Sequence, residues 1–299
     1  MIESKTIAIV GPTASGKSQL ALALARELNG EIVSCDSVQV YRGFDIGSAK
    51  PTLDEQHSIV HHMIDILDPQ EKMDAAVYAR SAQQAIANVK AKGKVPILVG
   101  GTGLYFRALC GEKFHDLPTD LNLKIELSQK NCETLYDELS QSDPERAQKI
   151  HKNDHFRLVR AVEIFRLTQM KMTDLTAEVK KENLDFFTWA LIPDRKCLHQ
   201  RIENRSVEML RGGLVEEVEN LLEKKCPEDA WPFQSIGYKQ VLNWIQGGKC
   251  ESFDQLSEKI MIATRQYAKR QCTWFRNYRR IEEETLSQRV DIIRKTVVF

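Results

Sequence analysis

The stretch Thr6-Ile7-Ala8-Ile9-Val10-Gly11-Pro12-Thr13-Ala14-Ser15-Gly16-Lys17-Ser18 decides the fold. Thr6 to Val10 is a short apolar, β-rich run. Gly11 to Ser18 fits the pattern G-x-x-x-x-G-K-[ST]. A helical pattern then runs from Lys17 to Leu28, with Leu20, Leu24 and Leu28 at fourfold spacing and Asn29-Gly30 as its stop. A strand before and a helix after is the context that makes such a match a phosphate-binding loop. The glycines permit backbone conformations that turn successive N–H groups inward, and the helix N-terminus adds partial positive charge. Gly11, Pro12, Thr13, Ala14, Ser15, Gly16, Lys17 and Ser18 are therefore the expected diphosphate or polyphosphate contacts. Lys17 reaches the terminal phosphates, and the Ser18 hydroxyl holds a Mg²⁺ ion.

Outward from this loop, Glu31 to Cys35 reads as a second strand ending at Asp36. After a polar loop come a helix over about Ala75 to Lys92 and a third strand, Val95 to Val99, closed by Gly100-Gly101. Alternating apolar strands and helices imply an α/β fold, a parallel sheet with helices on both faces, which the phosphate loop makes P-loop NTPase-like. From about Asp116 to Asn183 only helical patterns and turn breaks such as Asp143-Pro144 occur. Phe186 to Ile192 then reads as a strand returning to the sheet, and helices resume from Leu198. The expected organisation is a catalytic core of residues 1–115 and 186–299, interrupted by a helical insertion over 116–185.

The 299 residues carry 42 basic and 42 acidic side chains, so the formal net charge is zero; 42% are hydrophobic and 28% charged. That is an ordinary globular composition and excludes a histone-like polycation. Residues 1–150 hold 16 basic and 20 acidic side chains, against 26 and 22 in residues 151–299. A neutral total thus hides a separation of charge that leaves nucleic-acid binding open. The seven cysteines are odd in number and form no Cys-x-x-Cys pair, which points to reduced thiols and a cytoplasmic protein. No segment approaches the ~18 apolar residues of a membrane span.

The loop does not choose the reaction. The third strand ends in Gly-Gly where a motor ATPase would carry an acid, which leaves small-molecule kinases and other transferases. Asp36 follows the second strand directly, and in an open α/β sheet the carboxyl ends of strands line the ligand crevice. Facing the ligand there and closing a turn are the two roles open to it.

Two runs, Gly11-Pro12-Thr13-Ala14-Ser15-Gly16-Lys17-Ser18 and Ser34-Cys35-Asp36-Ser37-Val38-Gln39-Val40-Tyr41-Arg42, strongly resemble the tRNA dimethylallyltransferase family. Gly47-Ser48-Ala49-Lys50-Pro51, His61-His62-Met63-Ile64-Asp65, Gly100 to Tyr105, Ile236-Gly237-Tyr238-Lys239 and Thr264 to Arg276 continue the match in order, over nearly the whole chain. The resemblance implies transfer of a dimethylallyl group from dimethylallyl diphosphate to the exocyclic N6 of the adenine just 3′ of the anticodon, in tRNAs reading codons that begin with U. Pyrophosphate is the leaving group and ATP is not a substrate in bacterial members. It further implies a kinase-like core whose helical insertion grips the anticodon arm. The expected partners are tRNA and dimethylallyl diphosphate, the expected cofactor is Mg²⁺, and the enzyme is expected to act as a monomer, away from membranes.

By the same resemblance Asp36 is the base that takes the amine proton, and Lys17 and Arg205 serve the pyrophosphate. Arg201 lies four residues before Arg205, on the same helix face. Asp36, Ser37, Val38, Gln39 and Thr102 are the expected contacts of the target nucleotide, Gln39 offering a paired donor and acceptor to an adenine edge. Arg157 and Arg160 are carried over as contacts of the tRNA backbone. Two departures stand out: Ser18 replaces the family's usual threonine, and Thr168-Gln169-Met170 replaces its frequent Thr-Gly. Finally, Arg265 to Arg280 holds six basic residues and no acid, with aromatics interleaved. Arg265, Lys269, Arg276 and Arg280 follow helical spacing. The run suits either recognition of unstacked RNA or a basic amphipathic helix packed on the core with Trp274 and Phe275 buried, and both can hold on different faces. Lys269 and Arg270 are the expected RNA contacts. The adjacent histidines His61 and His62 point different ways and are not expected to bind metal.

Overall fold

A computed structural model of the chain describes residues 5–111, 117–177, 186–250 and 252–297. It divides into two compact units, Met1–Leu109 with Leu184–Phe299, and Cys110–Asn183. The first unit opens with β1 (Thr6–Val10), α1 (Lys17–Glu27), β2 (Gly30–Cys35), α2 (Leu53–Ser58), β3 (His61–His62), α3 (Ala75–Ala91), β4 (Val95–Gly100) and α4 (Gly103–Leu109). The second unit supplies α5 (Leu121–Ser128), α6 (Cys132–Ser142), α7 (Pro144–Lys149), α8 (His155–Thr168) and α9 (Met172–Ala177). The first then resumes with β5 (Phe186–Ala190), α10 (Arg195–Arg211), α11 (Leu214–Glu223), α12 (Tyr238–Gln246), α13 (Phe253–Phe275), β6 (Arg279–Arg280) and α14 (Leu286–Val297).

The strands form one sheet in the order β3-β2-β4-β1-β5-β6, with every neighbouring pair parallel. The inner strands β1, β2 and β4 are covered on both faces, which is why they read as largely apolar runs. On one face Ile7, Ile9, Ile32, Ile97 and Trp189 pack with Leu20 and Leu24 of α1 and Ile293 of α14. On the other, Tyr78 of α3 donates its hydroxyl to the Ser34 carbonyl at 2.9 Å. Its ring stacks on Tyr105 of α4 with centroids 4.3 Å apart. The chain therefore has the parallel α/β core that its strand–helix alternation implies.

Two local differences have physical reasons. The stretch after Asp36 contains α2 and β3 as well as loop: α2 is closed by a reciprocal cap between Thr52 and Glu55, while β3 is too short to show periodicity. The cationic run 265–280 is not one helix. α13 ends at Phe275, and Arg279–Arg280 leave it to pair with Trp189–Ala190 of β5, the Arg279 guanidinium lying 4.0 Å from the Trp189 ring centroid. The expected junctions at 115/116 and 185/186 touch residues outside the described set.

Among its described residues the second unit is helical. Leu127, Leu135, Leu139, Leu158 and Val162 form its core. α8 ends on Gln169, held in the left-handed region at φ 57° with its N–H donated to Phe165. That conformation costs an L-residue about 1–2 kcal/mol and costs glycine almost nothing. Gln169→Gly is expected to stabilise this unit by roughly 0.5–1 kcal/mol after the added unfolded-state entropy of glycine is subtracted. The check is the denaturant midpoint, and a midpoint lowered by the substitution contradicts the strain.

At the amino end of β2, away from the phosphate loop, Glu31 is buried beneath a cationic cap. Its carboxylate accepts from His62 at 2.7 Å, Lys94 at 2.9 Å and Lys92 at 3.0 Å. Burial pushes the carboxyl pKa up, but hydrogen bonds from Lys94, His62 and Lys92 outweigh it and hold the group at about 2. A depressed carboxyl pKa adds stability that is present above the unfolded value near 4.5 and is lost as pH falls toward 2. The linkage is on the order of 3 kcal/mol. Glu31→Gln is expected to remove that amount at neutral pH and to flatten the acid limb of the stability curve, read by denaturant titration between pH 2 and 6. An unchanged acid limb would dismiss the triad as its source.

Candidate active site

The site grows from the carboxyl ends of three parallel strands. After β1, the phosphate loop turns through Ala14 at φ 60° and Gly16 at φ 94°. Gly16 caps α1 without a side-chain bond, and no acid occupies the first turn, so the helix N–H groups face the loop. Lys17 donates to the Pro12 carbonyl at 2.6 Å. Its buried ammonium is pulled down to about 7, first by desolvation and then by Arg205, with Asp36 opposing. Ser15 is buried with its hydroxyl unpartnered among the described residues.

After β2, Asp36 Oδ1 accepts from the N–H groups of Val38 at 2.8 Å and Gln39 at 3.3 Å. The turn role is therefore real. It is compatible with the ligand-facing one, because Asp36 also lines a cavity of about 300 Å³. After β4, the Thr102 hydroxyl accepts from the Ser37 N–H at 3.2 Å and is hydrogen-bonded to Tyr267.

The cavity joins Thr13, Asp36, Ser37 and Val38 to Arg205 and Arg270. Arg205 of α10 sits close enough to Lys17 and Asp36 to shift or be shifted by both; burial lowers its own pKa and Asp36 opposes that. Arg201 occupies a different place: its guanidinium donates to the Ser15 carbonyl at 3.0 Å. The two arginines thus divide the face, one bracing the loop from outside and one entering the cavity. Apolar walls come from Ile202, Met209, Ile236 and Ile260. Burial, aided by Asp36, pushes the Tyr267 phenol up to about 12, so it lines the cavity as a neutral hydroxyl.

Other expected residues have internal work. The Gln39 amide accepts from Ser34 at 2.8 Å and donates to the carbonyls of Ser48 at 3.3 Å and Ala49 at 3.1 Å. It holds the loop that brings Gly47 and Ser48 to the cavity wall. In the second unit Arg160 bonds the buried Glu163 at 2.7 Å and the carbonyls of Leu117 and Pro118 at 3.0 Å. Arg157 is exposed beside Asp154 at 3.3 Å. Lys269 and Arg270 are exposed on α13, whereas Phe275 is buried and Trp274 lies beneath the Arg107 guanidinium, 5.0 Å from the ring centroid. Within this run Phe275 packs inward, Trp274 is half-buried, Tyr267 lines the cavity, and Lys269, Arg270, Arg276, Arg279 and Arg280 are exposed.

For Mg²⁺, the hard-oxygen donors near the loop are the exposed Ser18 hydroxyl and the Asp36 carboxylate. Among the described residues no group of three His, Cys, Asp or Glu could hold a metal. His62 is bound to Glu31 and His61 to the Ile59 carbonyl at 2.7 Å. So sparse a set fits Mg²⁺, which keeps several waters and binds largely through substrate phosphates.

Tyr267, Ile260, Ile202 and Met209 were not anticipated. Their signal is spacing: Ile202, Arg205 and Met209 recur at i, i+3 and i+7, and Ile260, Thr264 and Tyr267 at i, i+4 and i+7, each one helix face.

A family model described as IPP transferase matches residues 39–278. tRNA dimethylallyltransferase 1 of Trichlorobacter lovleyi is 43% identical over 283 residues, 92% of each chain. A crystal structure of tRNA delta(2)-isopentenylpyrophosphate transferase from Staphylococcus epidermidis is 36% identical, covering 98% of this chain and 99% of that one with a TM-score of 0.70. A eukaryotic dimethylallyltransferase crystallised acting on tRNA is 29% identical over 96% of this chain and 72% of its own, with a TM-score of 0.76.

Proposed function

The chain belongs to the IPP transferase family, and from that premise we infer what its cavity does: it is a tRNA dimethylallyltransferase that prenylates the N6 of the adenine 3′-adjacent to the anticodon. The observation that carries the chemistry is a single cavity in which Asp36 and Arg205 meet apolar walls beside the phosphate loop. A diphosphate, a short prenyl chain and a base awaiting deprotonation need those three surfaces.

The allylic carbon–oxygen bond of dimethylallyl diphosphate breaks, and the electron pair leaves with pyrophosphate. The adenine N6 bonds to the allylic carbon, and its proton passes to the Asp36 carboxylate. An adenine amine is a poor nucleophile because its lone pair is delocalised, so general-base help is worth about 10²–10⁴-fold. Lys17, Arg205 and the loop N–H groups stabilise charge gathering on the leaving group. Mg²⁺, held through Ser18 and the phosphates, would add to that neutralisation. Ile202, Met209, Ile236 and Ile260 exclude water from the allylic chain. Ser37, Val38 and Thr102 border the adenine, with Gln39 supporting their loop.

The tRNA, drawn from those reading codons that begin with U, is held by Lys269, Arg270 and the insertion's Arg157, with Arg160 bracing the surface that bears Arg157. The protein works as a monomer. The test is incubation with Mg²⁺, dimethylallyl diphosphate and unmodified tRNA, followed by nucleoside analysis. N6-dimethylallyladenosine is expected, and phosphoryl transfer from ATP without prenylation would sink the reading in favour of a P-loop kinase.

A further inference from the structure

Gln271 is a buried polar side chain, 4% exposed, in the second half of the 23-residue helix α13. Both ends of its amide are used, and each reaches a different glycine loop. Oε1 accepts from the Thr13 N–H of the phosphate loop at 2.9 Å, and Nε2 donates to the Gly101 carbonyl after β4 at 2.8 Å. The fit leaves no slack: a Cβ on Gly101 would lie 2.3 Å from Gln271 Nε2. One turn on, Trp274 covers Gly103 so closely that a Cβ there would stand 2.6 Å from its ring. Thr13 and Arg270 both line the catalytic cavity.

α13 therefore has two occupied sides. Its inner side grips the loops that present the diphosphate site and Thr102, while on the same turn Lys269 is exposed and Arg270 is exposed at the cavity that it also lines. A helix is stiff along its length, so a displacement at Lys269–Arg270 cannot avoid moving Gln271. We propose that Gln271 is a positioning residue that couples RNA held on the outer face of α13 to the diphosphate affinity of the phosphate loop. The proposal rests on the reading of that outer face as an RNA contact.

RNA bound at Lys269 and Arg270 resists displacement of α13 from the register in which Gln271 is already docked, and the docked amide fixes Thr13 and the loop behind it. Because coupling between two ligands is reciprocal, diphosphate in the loop tightens RNA by the same factor.

The experiment measures binding of inorganic pyrophosphate with Mg²⁺, by calorimetry, with and without an unmodified anticodon stem-loop RNA. In the wild-type protein the RNA is expected to tighten pyrophosphate by at least about fivefold. Gln271→Met keeps the volume and deletes both hydrogen bonds, and the factor should fall to near one while affinity for RNA alone is unchanged. Gln271→Asn shortens the amide so that it cannot span Thr13 and Gly101 and should do the same, which guards against a defect peculiar to methionine at position 271. A purely structural role would lower the melting temperature and leave the factor in place. Prenyl transfer by the wild-type preparation separates the failures. Transfer with an equal RNA effect in wild type and Gln271→Met overturns the coupling alone; absence of transfer overturns the transferase reading and the coupling with it.

Discussion

Asp36→Asn is expected to lower kcat for prenyl transfer by about 10²–10⁴-fold with tRNA affinity close to wild type. The choice of asparagine matters because Asp36 has two tasks. Its Oδ1 closes the turn to Val38 and Gln39, and the asparagine Oδ1 can accept the same bonds, a geometry that asparagine favours. The loop that carries Ser37 and the Gln39 brace should survive, while the carboxylate that takes the proton is gone. Asp36→Ala, by contrast, removes the turn as well and should cost tRNA affinity along with turnover. Single-turnover prenylation with pre-bound tRNA isolates the chemical step. Near-normal turnover in Asp36→Asn would confine the residue to its turn and remove it from the mechanism.

The legible part of this protein is its local part. The phosphate loop is readable because its chemistry is contiguous: two glycines, a lysine and a hydroxyl within eight positions, between a strand and a helix. Asp36 is readable because it directly follows a strand, and strand ends line the crevice. The far wall of the cavity is not contiguous. Thr13 meets Gln271 across 258 residues, and Tyr267, Met209 and Ile260 arrive on helices whose periodicity marks a buried face without saying what it faces. The same limit leaves 265–280 open, in the sequence, between an RNA-facing surface and a helix packed on the core. Alternating cations and aromatics fit both a stacking surface and a helix packed by its rings, and only Trp274 over Gly103, Phe275 in the core and Arg279 against Trp189 separate the two. Gln39 and Arg160 show a further gap, since a side chain rich in hydrogen-bonding groups is as well suited to holding a loop as to holding a substrate.

Lys17→Met is expected to lower kcat/KM for dimethylallyl diphosphate by about 10²–10³-fold, the usual loss when one preorganised donor to a developing anion is removed. The pH dependence identifies the cause. With no diphosphate bound, burial and the neighbouring Arg205 bring the Lys17 pKa to about 7 against an ordinary 10.5. Between those values the unfolded chain binds the proton and the folded site does not. The cost of burying the charge is therefore present in full below pH 7 and is relieved as pH rises toward 10.5. Lys17→Met escapes that cost, so the free variant should be more stable than wild type at pH 6, with the advantage shrinking as the pH is raised. Diphosphate reverses the balance by supplying negative charge beside the amine and favouring its protonated form. Wild-type protein should therefore take up a proton on binding inorganic pyrophosphate at pH 8, and its affinity should fall as pH rises above 7. Calorimetry in buffers of different ionisation enthalpy reads the proton directly. Lys17→Met should bind weakly with less proton uptake than wild type, and wild-type affinity in that variant would show that the lysine does not touch the leaving group.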